Sequence, residues 1–288
     1  MVLRSPCGMT YRGWQLAAAA WLWSASVAIA SPVCAFSPEG APAWITCGSL
    51  DADASDAALR DAAARSRATG FTWVLQIGHH VAPHLPAGPV AARARQRAEA
   101  AGLWPHVAAV TYGEEWHERC FFGEFAAYGL TANAPECPAQ VVGWMSQQHA
   151  AVKAATDKPI VWITHFVHPT RPVPAHTAYV ALDPYPTDDQ DFAFVEWLLA
   201  LSADSTDLPL VIIPRWFQAT GPFQGRRWQD ASRPPSQAVI EGYARWARHP
   251  RVVALWGFLW ASRPYADLVG LADMPATRAA VERSLGVR

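Results

Sequence analysis

Seven near-continuous apolar, β-rich stretches recur along the chain, at 43–50, 71–78, 107–113, 159–166, 178–182, 208–217 and 252–260. Between them run Ala-rich segments at 55–68, 89–102, 139–156, 189–202, 235–248 and 274–286, with apolar residues at three- and four-residue spacing. The first pattern predicts strands buried on both faces, as in a parallel sheet, and the second predicts helices that cover it. Only the connection from 159–166 to 178–182 lacks a clear helix. Repeated βα units leave two architectures, an open doubly wound sheet or a closed barrel. No GxGxxG or GxxxxGK follows any strand, so nothing points to a nucleotide-binding open sheet. The expected fold is therefore α/β, a TIM-type (β/α)8 barrel. Seven strands are one short, and the eighth is expected to be degenerate or missing near the N-terminus, where "SPEGAPAWITCGSL" and "DADASD" are ambiguous.

The first thirty residues change the picture of where the chain works. Arg4 and Arg12 precede the apolar run "LAAAAWLWSASVAIA", which ends in a small-x-small pattern before Ser31. This reads as a cleaved signal peptide over 1–30, followed by one barrel domain over 31–288. A periplasmic or secreted protein is expected, without a stable membrane span after cleavage. Net charge is −1 for the chain and moves to −3 once Arg4 and Arg12 are removed. Such a balance gives no basic field for nucleic acid. Neither internal repeats nor a low-complexity linker divides the domain, and a monomer is expected.

Beyond Cys7 in the signal, four cysteines remain: Cys34, Cys47, Cys120 and Cys137. An even number in an oxidising compartment favours two disulfides. Of the three pairings, Cys34–Cys47 and Cys120–Cys137 close the shortest loops and are expected. No CxxC spacing suggests structural zinc.

In a barrel the carboxyl-terminal strand ends converge on one mouth, where function gathers. His79 and His80 follow one predicted strand; Tyr112, Glu114, Glu115 and Trp116 follow the next. His165 comes after "VWIT", Asp183 and Tyr185 lie in "LDPYP", Arg215, Trp216 and Gln218 in "PRWFQ", and Trp256 and Trp260 in the last strand. Carboxylates, polar donors and several rings suit a saccharide, whose hydroxyls take hydrogen bonds while its apolar face takes aromatics. The fifteen tryptophans of the chain agree with this, although each is also a packing residue. The substrate-binding candidates are thus Tyr112, Trp116, His79, His80, His165, Tyr185, Arg215, Trp216, Gln218, Trp256 and Trp260.

The order "TYGEEW", "ALDPYP", "IIPRWFQ", "VVALWGFLW" over residues 107–260 resembles the layout of (β/α)8 glycoside hydrolases. These carry Gly-Asp/Glu-Glu after the fourth strand, Asp-x-Tyr-Pro after the sixth, an aromatic and Gln after the seventh, and an aromatic-rich eighth. The resemblance implies cleavage of O-glycosidic bonds in a poly- or oligosaccharide, with Glu115 as general acid/base and no cofactor. Glu114 would raise its neighbour's pKa through like-charge repulsion. It also implies a second acid on the seventh strand, where "LPLVIIPRWFQATG" has none; Asp183 is the remaining candidate. Carboxyl groups about 5–5.5 Å apart would mean retention, and about 6.5–9.5 Å inversion. A barrel without its nucleophile would be a non-catalytic carbohydrate-binding or polysaccharide-assembly protein. The third alternative is a metal-dependent hydrolase using His79, His80, His165 and His168. Such barrels place His-x-His on the first strand and Asp on the last, which this chain does not, so no metal is expected.

Overall fold

A computed structural model describes residues 31–77, 86–114, 137–170, 173–187, 192–221, 231–263 and 267–287. The strands are β1 (Val33–Ala35), β2 (Cys47–Asp51), β3 (Thr72–Gln76), β4 (Val107–Glu114), β5 (Ile160–Thr164), β6 (Thr177–Leu182), β7 (Leu210–Ile212), β8 (Phe217–Ala219), β9 (Val252–Gly257) and β10 (Leu268–Gly270). The helices are α1 (Asp56–Thr69), α2 (Ala87–Ala100), α3 (Cys137–Thr156), α4 (Phe192–Ser205), α5 (Gln237–Trp246) and α6 (Pro275–Leu285). Strands β1 to β7 and β9 form a closed, all-parallel barrel of eight, the expected (β/α)8 architecture.

The eighth strand is β1, only three residues long, and it lies just upstream of the segments where it was expected. It pairs with β2 on one side and β9 on the other, so "VCA" closes the barrel. Cys34 and Cys47 are register partners across this seam and form the expected disulfide. Cys120 lies outside the described residues, and the second pairing with it.

Alternation along the strands sorts the core into two shells. Cys34, Val74, Ala109, Val161, Ile163, Ala181, Val211, Ala254 and Trp256 fill the interior. Their neighbours Val33, Leu75, Val110, Trp162, Leu182, Ile212 and Leu255 point outward, where helix residues such as Leu59, Met145, Val195 and Val281 cover them. Each such buried Leu, Ile or Val contributes about 1.5–3 kcal/mol relative to exposure.

Local chemistry ends the helices where the sheet needs them to end. The Ser55 hydroxyl accepts from the Ala58 amide to start α1, and Gly70, at φ 73°, stops it. Ser236 caps α5 in the same way through the Val239 amide. Pro275 opens α6 and left-handed Gly286 closes it. The predicted strand 208–217 is divided: β7 ends at Ile212, and β8 then pairs antiparallel with β10 beside the barrel mouth. Among the described residues no helix is long and apolar enough to cross a membrane.

Candidate functional site

The carboxyl-terminal strand ends bring part of the predicted set together. On β4, Val110 and Tyr112 belong to the outer shell. Strict alternation would send Glu114 the same way. Gly113 prevents this: its φ is 73°, and the β4–β5 register shifts between Thr111 and Glu114. Thr111 pairs with Val161 and Glu114 with Ile163, so three residues of β4 match two of β5. Such a bulge re-aims the side chains that follow it. Register partners share a face, and Val161 and Ile163 are both interior, so Glu114 joins the inner face at the mouth.

One strand over, His165 follows β5, and Asp183 follows β6. Nδ1 of His165 lies 3.0 Å from Oδ1 of Asp183. The Asp183 carboxylate is almost wholly buried, whereas the imidazole keeps 29% of its surface exposed. Backbone bonds fix Asp183 and the residues that precede each of the two. The Asp183 amide donates to the Thr164 carbonyl at 3.1 Å, and the Ile213 amide to the Leu182 carbonyl at 2.7 Å.

The "DPYP" segment is gripped from behind. Tyr243 on α5 donates its hydroxyl to the Pro184 carbonyl at 2.8 Å. Arg215, itself buried, donates from Nη1 to the Pro186 carbonyl at 2.8 Å and from Nη2 to the Arg233 carbonyl. Arg215, expected at the substrate, thus spends two donors on bracketing the loop. Tyr243 was not singled out from sequence. Burial pushes the titration of its hydroxyl far up, so it stays a neutral donor.

Aromatic rings gather at the β1 and β9 ends, and Tyr185 of the loop after β6 reaches them. Phe36, just after β1, stacks on Trp256 at 4.3 Å with 10° between planes, and meets Phe258 edge-on at 5.2 Å. Tyr185 lies 6.2 Å from Phe258, near-parallel at 26°, and contacts Phe217 edge-on at 5.4 Å. Tyr185 and Phe258 are half-buried. Phe36 and Phe258 were missed, the first because its strand was not found. "WGFLW" carries a signal for the second, masked by its flanking tryptophans.

The other predicted residues sit elsewhere. Tyr112 is fully buried in the outer shell, where desolvation pushes its pKa to about 12. Trp216 and Trp260 are buried around Trp44, which meets each edge-on at 6.1 and 6.0 Å. Gly257 leaves room for Trp216, since a Cβ there would lie 1.8 Å from its Cε3. Trp256 is buried in the interior beneath Phe36. Gln218 is half-buried on β8 and donates to the Ser232 carbonyl at 2.7 Å. His79, His80, Glu115 and Trp116 lie outside the described residues.

The mouth of the barrel thus holds Glu114, His165 and Asp183 together with the half-buried rings of Tyr185 and Phe258. Solved structures agree on the fold. A GH113 β-1,4-mannanase superposes with a TM-score of 0.50 over 90% of this chain and 99% of that one, at 10% identity. A family 1 β-glucosidase from Thermotoga maritima does so with a TM-score of 0.51 over 85% and 83%, at 9% identity. No protein-family model matches the chain, and no curated protein matches it in sequence. What this chain shares with these glycoside hydrolases is the (β/α)8 barrel fold, and no single family among them is indicated.

Proposed function

We propose that this protein is an exported glycoside hydrolase in which the adjacent acids Glu114 and Glu115 supply general acid/base catalysis. The observation that carries the reading is the bulge at Gly113, which turns an acid of the β4 end onto the inner face of the mouth. The same mouth holds the His165–Asp183 pair and the half-buried rings of Tyr185 and Phe258. Hydrolysis of a glycosidic bond needs proton delivery to the leaving oxygen, and an aromatic wall suits the sugar's apolar face. The sequence motif favours Glu115 as the working acid, with Glu114 beside it as the residue that tunes its proton affinity. The buried Cys34–Cys47 disulfide supports an oxidising compartment, and hence residues 1–30 as an export signal.

The test is hydrolysis by the mature protein across a polysaccharide panel that starts with β-1,4-mannan and β-glucosides, the classes named for its fold neighbours. Losing the general acid/base should lower turnover about 10²–10⁴-fold. Glu115→Gln is expected to show that loss, and Glu114→Gln a smaller one. Full turnover in both variants would remove the acid role. Sugar binding without any cleavage would favour a non-catalytic carbohydrate-binding barrel. One observation gives that second reading weight: no acid occurs in 213–221 after β7.

A further inference from the structure

Asp183 suggests itself as the second catalytic carboxylate because it is the acid at the end of β6. Its surroundings argue for a different task. The carboxylate is 4% exposed, against 29% for His165, so a ligand entering the mouth meets the ring first. An ionised carboxylate only accepts hydrogen bonds, so the imidazole must donate from Nδ1 across the 3.0 Å contact. Nδ1 therefore carries a proton in both charge states of the ring. Nε2 lies on the far side of the ring from the carboxylate. Both residues directly follow barrel strands. The Asp183 amide bonds the Thr164 carbonyl, the Leu182 carbonyl before it accepts from Ile213, and the following loop is held by Tyr243 and Arg215. A side chain held in this way suits directional contact with a hydroxyl group.

We infer that His165 is a substrate-contacting residue that presents Nε2 to a sugar hydroxyl, and that Asp183 is its positioning residue rather than a catalytic carboxylate. The substrate half of this rests on the saccharide reading above; the Asp183–His165 half does not. The second proton-handling group of the site is then to be sought outside β6, beginning with the adjacent acids Glu114 and Glu115.

Long-range ¹⁵N–¹H spectra of the full ¹⁵N-labelled protein read the imidazole nitrogens directly, with His165→Gln assigning the signals. Neutral His165 is expected to carry its proton on Nδ1. Asp183→Ala is expected to shift it toward the Nε2–H form, and Asp183→Asn, which keeps the side-chain size, covers the case where Ala impairs folding. An Nε2–H ring in the unsubstituted protein would overturn the positioning role. With whichever panel polysaccharide is cleaved, His165→Gln and Asp183→Asn should each raise KM about tenfold, the scale of one lost hydrogen bond. The double variant should be little worse than either alone, because both act on one contact. A kcat loss of about 10²-fold or more in Asp183→Asn with His165→Gln nearly intact would show Asp183 acting as an acid in its own right and sink the inference. If no saccharide is cleaved, the hydrolase reading fails while the spectra still decide what Asp183 does.

Discussion

Tyr243 reaches from α5 to the carbonyl of Pro184, 59 residues away in sequence, and holds it at 2.8 Å. Pro184 and Pro186 have no amide hydrogen, so the "DPYP" segment leaves two carbonyls to satisfy behind the mouth and few donors. Tyr243 takes one and Arg215 the other. Asp183 and Tyr185 alternate with those prolines and fall on the site side. The loop that carries Asp183 and Tyr185 is therefore fixed from behind by side chains of other elements.

Tyr243→Phe should separate fixing from contact. It removes one buried hydrogen bond and strands the Pro184 carbonyl, at a cost of about 1–2 kcal/mol. Thermal unfolding should show the loss, and kcat/KM should fall through loosened Asp183 and Tyr185. Arg215→Lys should behave similarly, because an ammonium lacks the planar fork that spans the Pro186 and Arg233 carbonyls. An unchanged melting temperature with unchanged kinetics would show that the loop needs neither clamp.

The Cys34–Cys47 bond should matter more than its 13-residue separation suggests, because it pins the three-residue strand that closes the barrel. Chain entropy alone assigns such a loop about 3 kcal/mol. Cys34→Ala with Cys47→Ala should lower the urea midpoint by a corresponding amount. A reductant should lower the midpoint of the unsubstituted protein and leave the double variant unmoved. If the reductant changes neither, the bridge does not stabilise the native state.

Much of the barrel was legible because its strands are apolar on both faces, a pattern that only a covered parallel sheet produces. β1 was not legible, since three residues cannot show a period. The mouth was legible as a set of strand ends but not as a set of directions. Tyr112 and Glu114 have the same parity, yet one faces the helices and the other the interior, because Gly113 inserts a bulge that hydrophobic spacing does not record. The residue types were ambiguous in themselves. Trp216, Trp256 and Trp260 are as suited to a core as to a sugar face, and a guanidinium brackets a carbonyl as readily as it binds a ligand. Tyr243 lay outside any strand end, and only the tertiary structure brings it to the "DPYP" loop.

His149 on α3 predicts the acid limb of stability. It is fully buried, and desolvation depresses its pKa to about 4. The Tyr112 carbonyl, 3.1 Å from Nε2, can only accept, so Nε2 carries the proton and Nδ1 accepts from the Thr177 hydroxyl at 3.2 Å. That neutral ring is fully used in the folded state. The unfolded histidine binds a proton near pH 6.5, which the folded one does not take until about pH 4. Stability is therefore unaffected well above pH 6.5 and falls as pH drops from about 6.5 to about 4, by about 3 kcal/mol in all. His149→Gln should start less stable at pH 7 but lose this part of the acid sensitivity. Urea midpoints at pH 7 and 4.5 for both proteins check it; equal pH slopes would show that other groups set the limb.

Gly113 offers the sharpest test of how the mouth is built. At φ 73° a residue with a Cβ is strained by about 1–2 kcal/mol. Gly113→Ala must either bear that strain or relax the bulge. Relaxation would return Glu114 to the parity of Tyr112 and swing its carboxylate off the inner face. Turnover is then expected to fall at least about tenfold, with a smaller change in KM, because what is lost is an aimed proton-transfer group rather than a binding surface. Asn enters the left-handed region more readily than Ala, so Gly113→Asn should keep more activity than Gly113→Ala despite its larger side chain. That ordering runs against size and polarity and follows only from backbone conformation. An Ala variant as active as the unsubstituted protein, or one more active than Asn, would show that the aim of Glu114 does not depend on the bulge.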